Sequence, residues 1–409
     1  MSLNSYPKDK GITLPPELID SFGRLRVSEP FTLFDSKQLF DNQPLYWDDQ
    51  EVSGAGTTSV HTVNQASTVL GVAASTAGKR VRQTIQRFNY QPGKSQKFEM
   101  TGVLNLSGGG AGVICRVGAF DDENGIFTQI DNTGHYFVCR SFFTGSAVDT
   151  PVIQADWNGD KLDGSGDSGI TLDVNKAQIF WFDMEWLGVG DVRLGYLIDG
   201  QRIICHTFRN ANAIEGVYMS TPNLPLRYEA ENDGTGIAST MMHICSTVMS
   251  EGGVQAQGQL HWADTDFNHV VAAVVGVKYA VVGIKLKTTH IGQVINMTKT
   301  GMLAKTNDNL VWTLELNPTV AGTFTYADHA NSSVQLAFGA TANTVTGGHE
   351  LGGGYVSSSK DGGAAKEELD NALRLGSKID GTVDEIVLCV RSFGTNAQVE
   401  GGIAWRELT

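Results

Sequence analysis

Between Ile179 and Phe208 the chain reads IFWFDMEWLGVGDVRLGYLIDGQRIICHTF. Apolar and polar positions alternate with a period of two, the mark of half-buried strands. Asp199-Gly200 sits between two such runs and predicts a two-residue hairpin loop, because both turn positions need a positive φ. Counting back from Ile198 opposite Gln201 places Tyr196 opposite Ile203, Leu194 opposite Cys205 and Val192 opposite Thr207 on an apolar face. The other face then carries Leu197–Arg202, Gly195–Ile204 and Arg193–His206. In the preceding strand Phe180, Phe182, Met184 and Trp186 point one way, and Trp181, Asp183 and Glu185 the other.

The same alternation recurs along most of the chain. Strands are expected at Ser59–Val63, Lys79–Asn89, Lys97–Leu106, Gly112–Ala119, Gly125–Ile130, His135–Phe143, Thr150–Gln154, Gln178–Trp186 and Met241–Ser250. Polar, Gly-rich turns separate them, and no helical period intervenes. That excludes a βαβ sheet and predicts an all-β fold: a jelly-roll or lectin-like β-sandwich over residues 50–253, followed by a second β-rich domain over 254–409. The boundary is the polar, glycine-rich stretch SEGGVQAQGQ. The expected helix is Glu367–Leu375, whose Leu369, Ala372 and Leu373 share one face.

Residues 1–49 break the pattern. Five prolines deny this segment a long helix, yet it carries Ile19, Phe22, Leu25, Phe31, Leu33 and Phe34. An extended arm burying these side chains against a neighbouring subunit or another protein is one reading. The first strand and loops of the sandwich itself is the other. Repeated acceptors around a symmetry axis, as in a trimer, would suit the first.

Composition narrows the function. The chain has 409 residues, 48 of them glycine, and a formal charge of −14 without any basic block. Nucleic-acid binding and docking to an anionic membrane are therefore not expected. Val270–Ile284 is too short and too interrupted to insert in a bilayer. The N-terminal stretch has no apolar core segment, so no secretory signal is expected. Five scattered cysteines without metal spacing point to reduced, buried thiols and assembly in a cytoplasm.

Candidate chemistry is thin. Asp183 and Glu185 leave one face of a strand about 7 Å apart at Cα, beside Trp181, Arg193 and His206. Retaining glycosidases place two carboxyls roughly 5 Å apart across the scissile bond, and some use alternating acids on one strand of a lectin-like sandwich. The fuller pattern there, Glu-x-Asp-x-x-Glu, has Trp181 in place of its first acid and Gly188 in place of its last. These five residues therefore read as a solvated strand face, or as a glycan-binding groove with Trp181 as the platform, and no catalytic residues are assigned. Asp156, Asn158, Asp160 and Asp163 are hard oxygen ligands of the kind calcium prefers, but Lys161 stands where an EF-hand loop needs glycine. Asx-type turns between strands are the favoured reading of these residues over a metal site. No cofactor motif is present.

Several strings resemble those of virion structural proteins of tailed bacteriophages. They are Asp20-Ser21-Phe22-Gly23-Arg24-Leu25-Arg26-Val27-Ser28, Thr32-Leu33-Phe34-Asp35-Ser36-Lys37, Tyr90-Gln91-Pro92-Gly93-Lys94-Ser95-Gln96 and Trp157-Asn158-Gly159-Asp160-Lys161-Leu162-Asp163-Gly164. Glu185-Trp186-Leu187-Gly188-Val189-Gly190, Asn223-Leu224-Pro225-Leu226-Arg227-Tyr228-Glu229 and Ser250-Glu251-Gly252-Gly253 complete the set. The resemblance covers roughly the first 250 residues. It implies a non-enzymatic capsid decoration, head fibre, turret or tail protein, assembled in the host cytoplasm as a homo-oligomer and docked to capsid or tail proteins. The alternative is a virion protein that binds or cleaves host-surface glycans.

Overall fold

The computed structural model describes residues 29–105, 110–255, 257–268, 270–272, 274–306, 308–357, 363–368, 374–394 and 397–408. Strands β1 (Pro30–Lys37), β2 (Trp47–Gly54), β3 (Thr57–Thr62), β4 (Ser67–Val72) and β5 (Ala77–Thr84) open the first domain. They are followed by β6 (Ser95–Val103), β7 (Val113–Phe120), β8 (Gly125–Asp131), β9 (Gly134–Ser141) and β10 (Val148–Ile153). The domain closes with β11 (Gln178–Met184), β12 (Val192–Ile198), β13 (Gln201–Phe208), β14 (Leu226–Asp233) and β15 (Ser239–Glu251).

These strands form two antiparallel sheets. The first runs β13-β12-β11-β6-β15-β4-β3, with β1 also paired to β15, and the second runs β10-β9-β8-β7-β14-β5-β2. Period-two alternation turns one face of each sheet inward. Phe98, Met100, Phe180, Phe182, Met184, Leu194 and Tyr196 from the first sheet join Val117, Phe137, Tyr228 and Ala230 from the second in one core. Phe98 and Phe182 are cross-strand partners, and their rings stack 4.4 Å apart, a pairing that adds about 1 kcal/mol to simple burial.

The second domain contains β16 (Gln259–Asp264), β17 (Val270–Ala272), β18 (Tyr279–Leu286), β19 (Val294–Ala304) and β20 (Leu310–Leu316). Next come β21 (Thr319–Val320), β22 (Ala327–Asp328), β23 (Val334–Phe338), β24 (Val345–Thr346) and β25 (His349–Val356). The last are β26 (Gly363–Glu368), β27 (Arg374–Leu375), β28 (Glu385–Ser392) and β29 (Ala397–Leu408). One sheet runs β16-β29-β19-β26 and the other β22-β23-β18-β28-β20-β25. A separate core of Ile284, Met297, Trp312, Leu388, Trp405 and neighbours lies in this domain. The class is the expected one, all-β, with a β-sandwich followed by a second β-rich domain.

Three expectations need correction or completion. The helix expected at Glu367–Leu375 does not form at either described end: Glu367 and Glu368 pair with Thr300 and Lys299 in β26, and Arg374 and Leu375 pair along the same β19. An available sheet edge outweighs local helical periodicity there; residues 369–373 lie outside the described residues. The hairpin turn is as predicted, with Asp199 and Gly200 at φ 52° and 74°, and so is Tyr196 opposite Ile203. Beyond Gly195 the register slips by one, so Leu194 faces His206 and Arg193 faces Thr207 rather than His206. Cys205 is the extra residue of a β-bulge. Lastly, β1 pairs with β15 of its own chain from Pro30 to Lys37. Phe34 is buried in the sandwich core and Leu33 packs against it, while Phe31 stays half exposed.

Buried polar groups are matched, His135 across the sandwich and Glu229 within the second sheet. His135 meets Thr128 Oγ1 at 2.7 Å and Tyr196 Oη at 3.0 Å, and burial brings its pKa down to about 3. Burial alone would raise the Glu229 carboxyl, but Arg227, Arg116 and Lys79 together bring it down to about 2. Both groups have folded-state pKa values below their unfolded ones. The His135 contribution is therefore complete above pH 6.5 and lost as pH falls toward 3; the Glu229 contribution is complete above pH 4.5 and lost as pH falls toward 2. Each is on the order of 3–5 kcal/mol at full titration. We expect denaturant unfolding to show stability falling from pH 6.5 downward, with a steeper limb below 4.5. Glu229→Gln should remove much of that lower limb and cost about 3 kcal/mol at neutral pH, because it leaves three cations facing a neutral group.

Candidate functional site

The outward face of the first sheet is where Trp181, Asp183, Arg193 and Glu185 come together. Asp183 lies opposite Arg193 on β12 and opposite Lys97 on β6. Arg193 grips it with two bonds, Nε to Oδ1 at 2.8 Å and Nη2 to Oδ2 at 2.5 Å. Burial pushes the Asp183 carboxyl up and the bonds from Arg193 oppose that rise. A bidentate pair of this kind, with the carboxylate buried and the guanidinium half exposed, is a structural lock. Glu185 lies past the strand end and is exposed; its N–H donates to the Asp191 carbonyl at 3.1 Å, which extends the β11–β12 ladder into the turn.

Trp181 does not offer a platform. It is 1% exposed, with the Arg202 guanidinium 4.8 Å from its ring centre. Arg202 Nη2 reaches on to Glu99 Oε1 at 3.0 Å, so an ion pair spans the indole. Lys97 continues the ladder, 3.5 Å from Glu99 and 3.6 Å from Glu251. Residues of both signs alternate over this face and satisfy one another.

His206, expected beside Arg193, is not part of this face. The bulge at Cys205 turns it toward the core side opposite Leu194, where its Nδ1 accepts the Asn158 N–H at 3.3 Å. The reason for the bulge is the loop that carried the calcium expectation. Gly159 and Asp160 donate their N–H groups to the carbonyls of Cys205 and Ile204 at 2.8 and 3.0 Å. Asn158 brackets Thr207, giving Nδ2–H to its carbonyl at 2.9 Å and accepting its N–H at 2.9 Å. The loop thereby covers the free edge of β13. Only glycine fits at 159, since a Cβ would stand 2.4 Å from the Ile204 oxygen.

Those bonds consume the proposed calcium ligands. Asp160 accepts the N–H groups of Leu162 and Ser168, and Asp163 accepts the N–H and hydroxyl of Ser165. Asp156 lies exposed in a short 3-10 turn. These are Asx turns. Among the described residues no group of three or more His, Cys, Asp or Glu side chains could hold a metal ion. Of the arm residues, Phe31, Leu33 and Phe34 belong to β1, and Ile19, Phe22 and Leu25 lie outside the described residues.

A site that the sequence reading missed lies in the second domain. On the edge strand β16 the outward positions are Leu260, Trp262 and Asp264. Trp262 is 49% exposed, and clefts of about 480 Å³ open on both sides of it. Its Nε1–H donates to Asp264 Oδ2 at 2.7 Å. The Trp-x-Asp spacing was visible, but it abuts the polar boundary and the strand was not recognised.

No protein-family model and no curated protein matches the chain. Solved structures that resemble it include an endo-1,3-beta-glucanase from Streptomyces sioyaensis, at TM-score 0.36 and 10% identity over 56% of this chain and 99% of that one. The Emp47p carbohydrate recognition domain gives TM-score 0.32 and 14% identity over 54% and 95%. A glycoside hydrolase family protein from Mycobacterium thermorestibile gives 0.35 and 12% over 53% and 99%. At such values no substrate and no site residue carries over to this chain.

The lid on Trp181 is testable. Arg202→Ala should expose the indole to aqueous quencher, adding a quenchable tryptophan component to the fluorescence. Stability should fall by no more than about 1 kcal/mol, as for a partly exposed pair. Unchanged quenching would show that other side chains cover the ring.

Proposed function

We propose that this chain is a structural, self-assembling protein, the kind of virion component that the sequence resemblance implies, and that its partner is a second copy of itself. The observation that carries this reading is an aromatic patch on the second domain. Tyr355 and Phe393 stack with ring centres 6.2 Å apart while remaining 77% and 54% exposed. The turn bearing Val274 and Val275, both also exposed, is tied alongside by the Gly276 N–H to Ser392 carbonyl bond of 3.1 Å. Exposed aromatic and aliphatic side chains grouped in this way are typical of the buried centre of a protein interface. The closed ion-pair ladder around Asp183 supports a non-catalytic role, because the acid there is already held by Arg193.

A second reading, glycan recognition without hydrolysis, is favoured by one observation: the open indole of Trp262. It is compatible with the first, since a virion part can both assemble and touch a host surface.

Light scattering of the full chain after size exclusion tests the assembly reading. We expect an oligomer at micromolar concentration, and a monomer with unchanged circular dichroism for the double variant Tyr355→Asp, Phe393→Asp. A monomeric wild type, or an oligomer indifferent to both substitutions, would overturn it.

A further inference from the structure

We propose that the cleft around Trp262 is a binding site for an uncharged polysaccharide, with the indole as its stacking platform; the proposal rests on the glycan-recognition reading above. Four features converge on it.

The first is how the indole is held. β29 lies between β16 and β19 and places Gly402 beside Asp264 and Gly301. A Cβ at Gly402 would come within 2.4 Å of Trp262 Cζ2, and one at Gly301 within 3.1 Å of Cη2. The two glycines therefore make a bed of bare backbone on which the six-membered ring rests. The bond to Asp264 fixes the other end of the ring system. An exposed tryptophan pinned at both ends loses little further freedom on binding, which favours it as a preorganised platform.

The second is Phe267. It is 85% exposed on a turn where Asp266 and Phe267 both lie in the left-handed region, at φ 45° and 64°. Two successive residues that are not glycine in this region are strained. The Asp266 N–H bond to Asp264 Oδ1 at 2.8 Å helps to hold them there. Strain that keeps an aromatic ring in water has no value to the core, and it places a second ring on the rim of the same cleft.

The third is the polar lining. Asp264, Asp266, Lys299 and Glu400 border one cleft, and Asn268 and His329 the other. A pyranose presents an apolar C–H face to an aromatic ring and hydroxyls at its edge, and carboxylates are strong acceptors for those hydroxyls. Glu400 is paired with Lys305 at 2.8 Å, and the acids outnumber the cations here. An anionic polymer would therefore be repelled, and a neutral one accepted.

The fourth is shape. Trp262 stands between two clefts of equal size, and the further one ends at the half-exposed Phe338. Two clefts that meet at one ring suit an internal stretch of a linear chain better than a terminal sugar.

The test titrates the full chain with cellohexaose, laminarihexaose and maltohexaose, three neutral glucose hexamers that differ only in linkage, and with hexagalacturonate as the anionic counterpart. Tryptophan fluorescence reports binding, and light scattering on the same samples reports assembly. We expect saturable binding of at least one neutral hexamer below about 10 mM and none of the anionic one. Trp262→Ala should weaken it about tenfold or more and Phe267→Ala severalfold, with melting temperature and oligomer mass unchanged. Binding that survives Trp262→Ala would overturn this site and leave the glycan reading standing. No binding of any neutral hexamer would overturn both. Equal binding of hexagalacturonate would overturn the charge argument, and an oligomer lost in Trp262→Ala would assign the cleft to a second copy of the chain.

Discussion

One buried guanidinium joins the first domain together. Arg82 on β5 is wholly enclosed and crosses the sandwich to β15, where its Nε donates to His243 Nδ1 at 3.1 Å. It also donates to Asp49 on β2 at 3.2 Å, to Gln38 Oε1 at 2.9 Å and to the Asn42 carbonyl. Trp47 covers it, the ring centre 5.1 Å away. An unpaired charge here would cost several kcal/mol, so both sheets and the 38–49 connection must close around it together. His243 can accept only while neutral; burial keeps its pKa well below the ordinary value, and Arg82 adds to that. Its ring stacks on Tyr228 of the opposite sheet at 4.1 Å. The segment beginning at Pro30 is consequently built into its own sandwich: β1 supplies Phe34 to the core and leads directly into residues that satisfy Arg82.

With the interior closed in this way, the outer faces of the sandwich are closed too. Arg193–Asp183, Lys97–Glu251 and Arg202–Glu99 tie strands on the first sheet. Arg116–Glu229 and Lys79–Glu229 do the same on the second. A face whose charges are spent on one another, and whose large aromatic lies beneath an arginine, has few groups left for a ligand. On the second domain Trp262, Phe267, Tyr355 and Phe393 stand in solvent, and the proposed recognition and assembly rest on these side chains.

How much of this was legible in the sequence depended on how local its cause was. Alternation gave the strands, and the Asp199-Gly200 turn gave the first four hairpin pairs, since both depend only on neighbours in the chain. The bulge at Cys205 was hidden because its cause, the docking of residues 158–160, lies more than forty positions away. Glu367–Glu368 carried a helical pattern, but β19 offered an edge that no local rule could reveal. Trp181 looked like a platform because nothing in its own strand shows that Arg202 lies over it. Trp262 was overlooked for the converse reason: its openness depends on Gly301 and Gly402, which are near it only in space.

Two tryptophans on two domains of the same chain therefore contrast, Trp181 sealed and Trp262 open. Oxidative footprinting of the native full-length protein, read by peptide mass spectrometry, addresses this contrast directly. Trp262 should be modified at low oxidant dose while Trp181 stays intact until the protein unfolds. Modification of Trp181 as fast as that of Trp262 would contradict it, and would return the first sheet to consideration as the recognition surface.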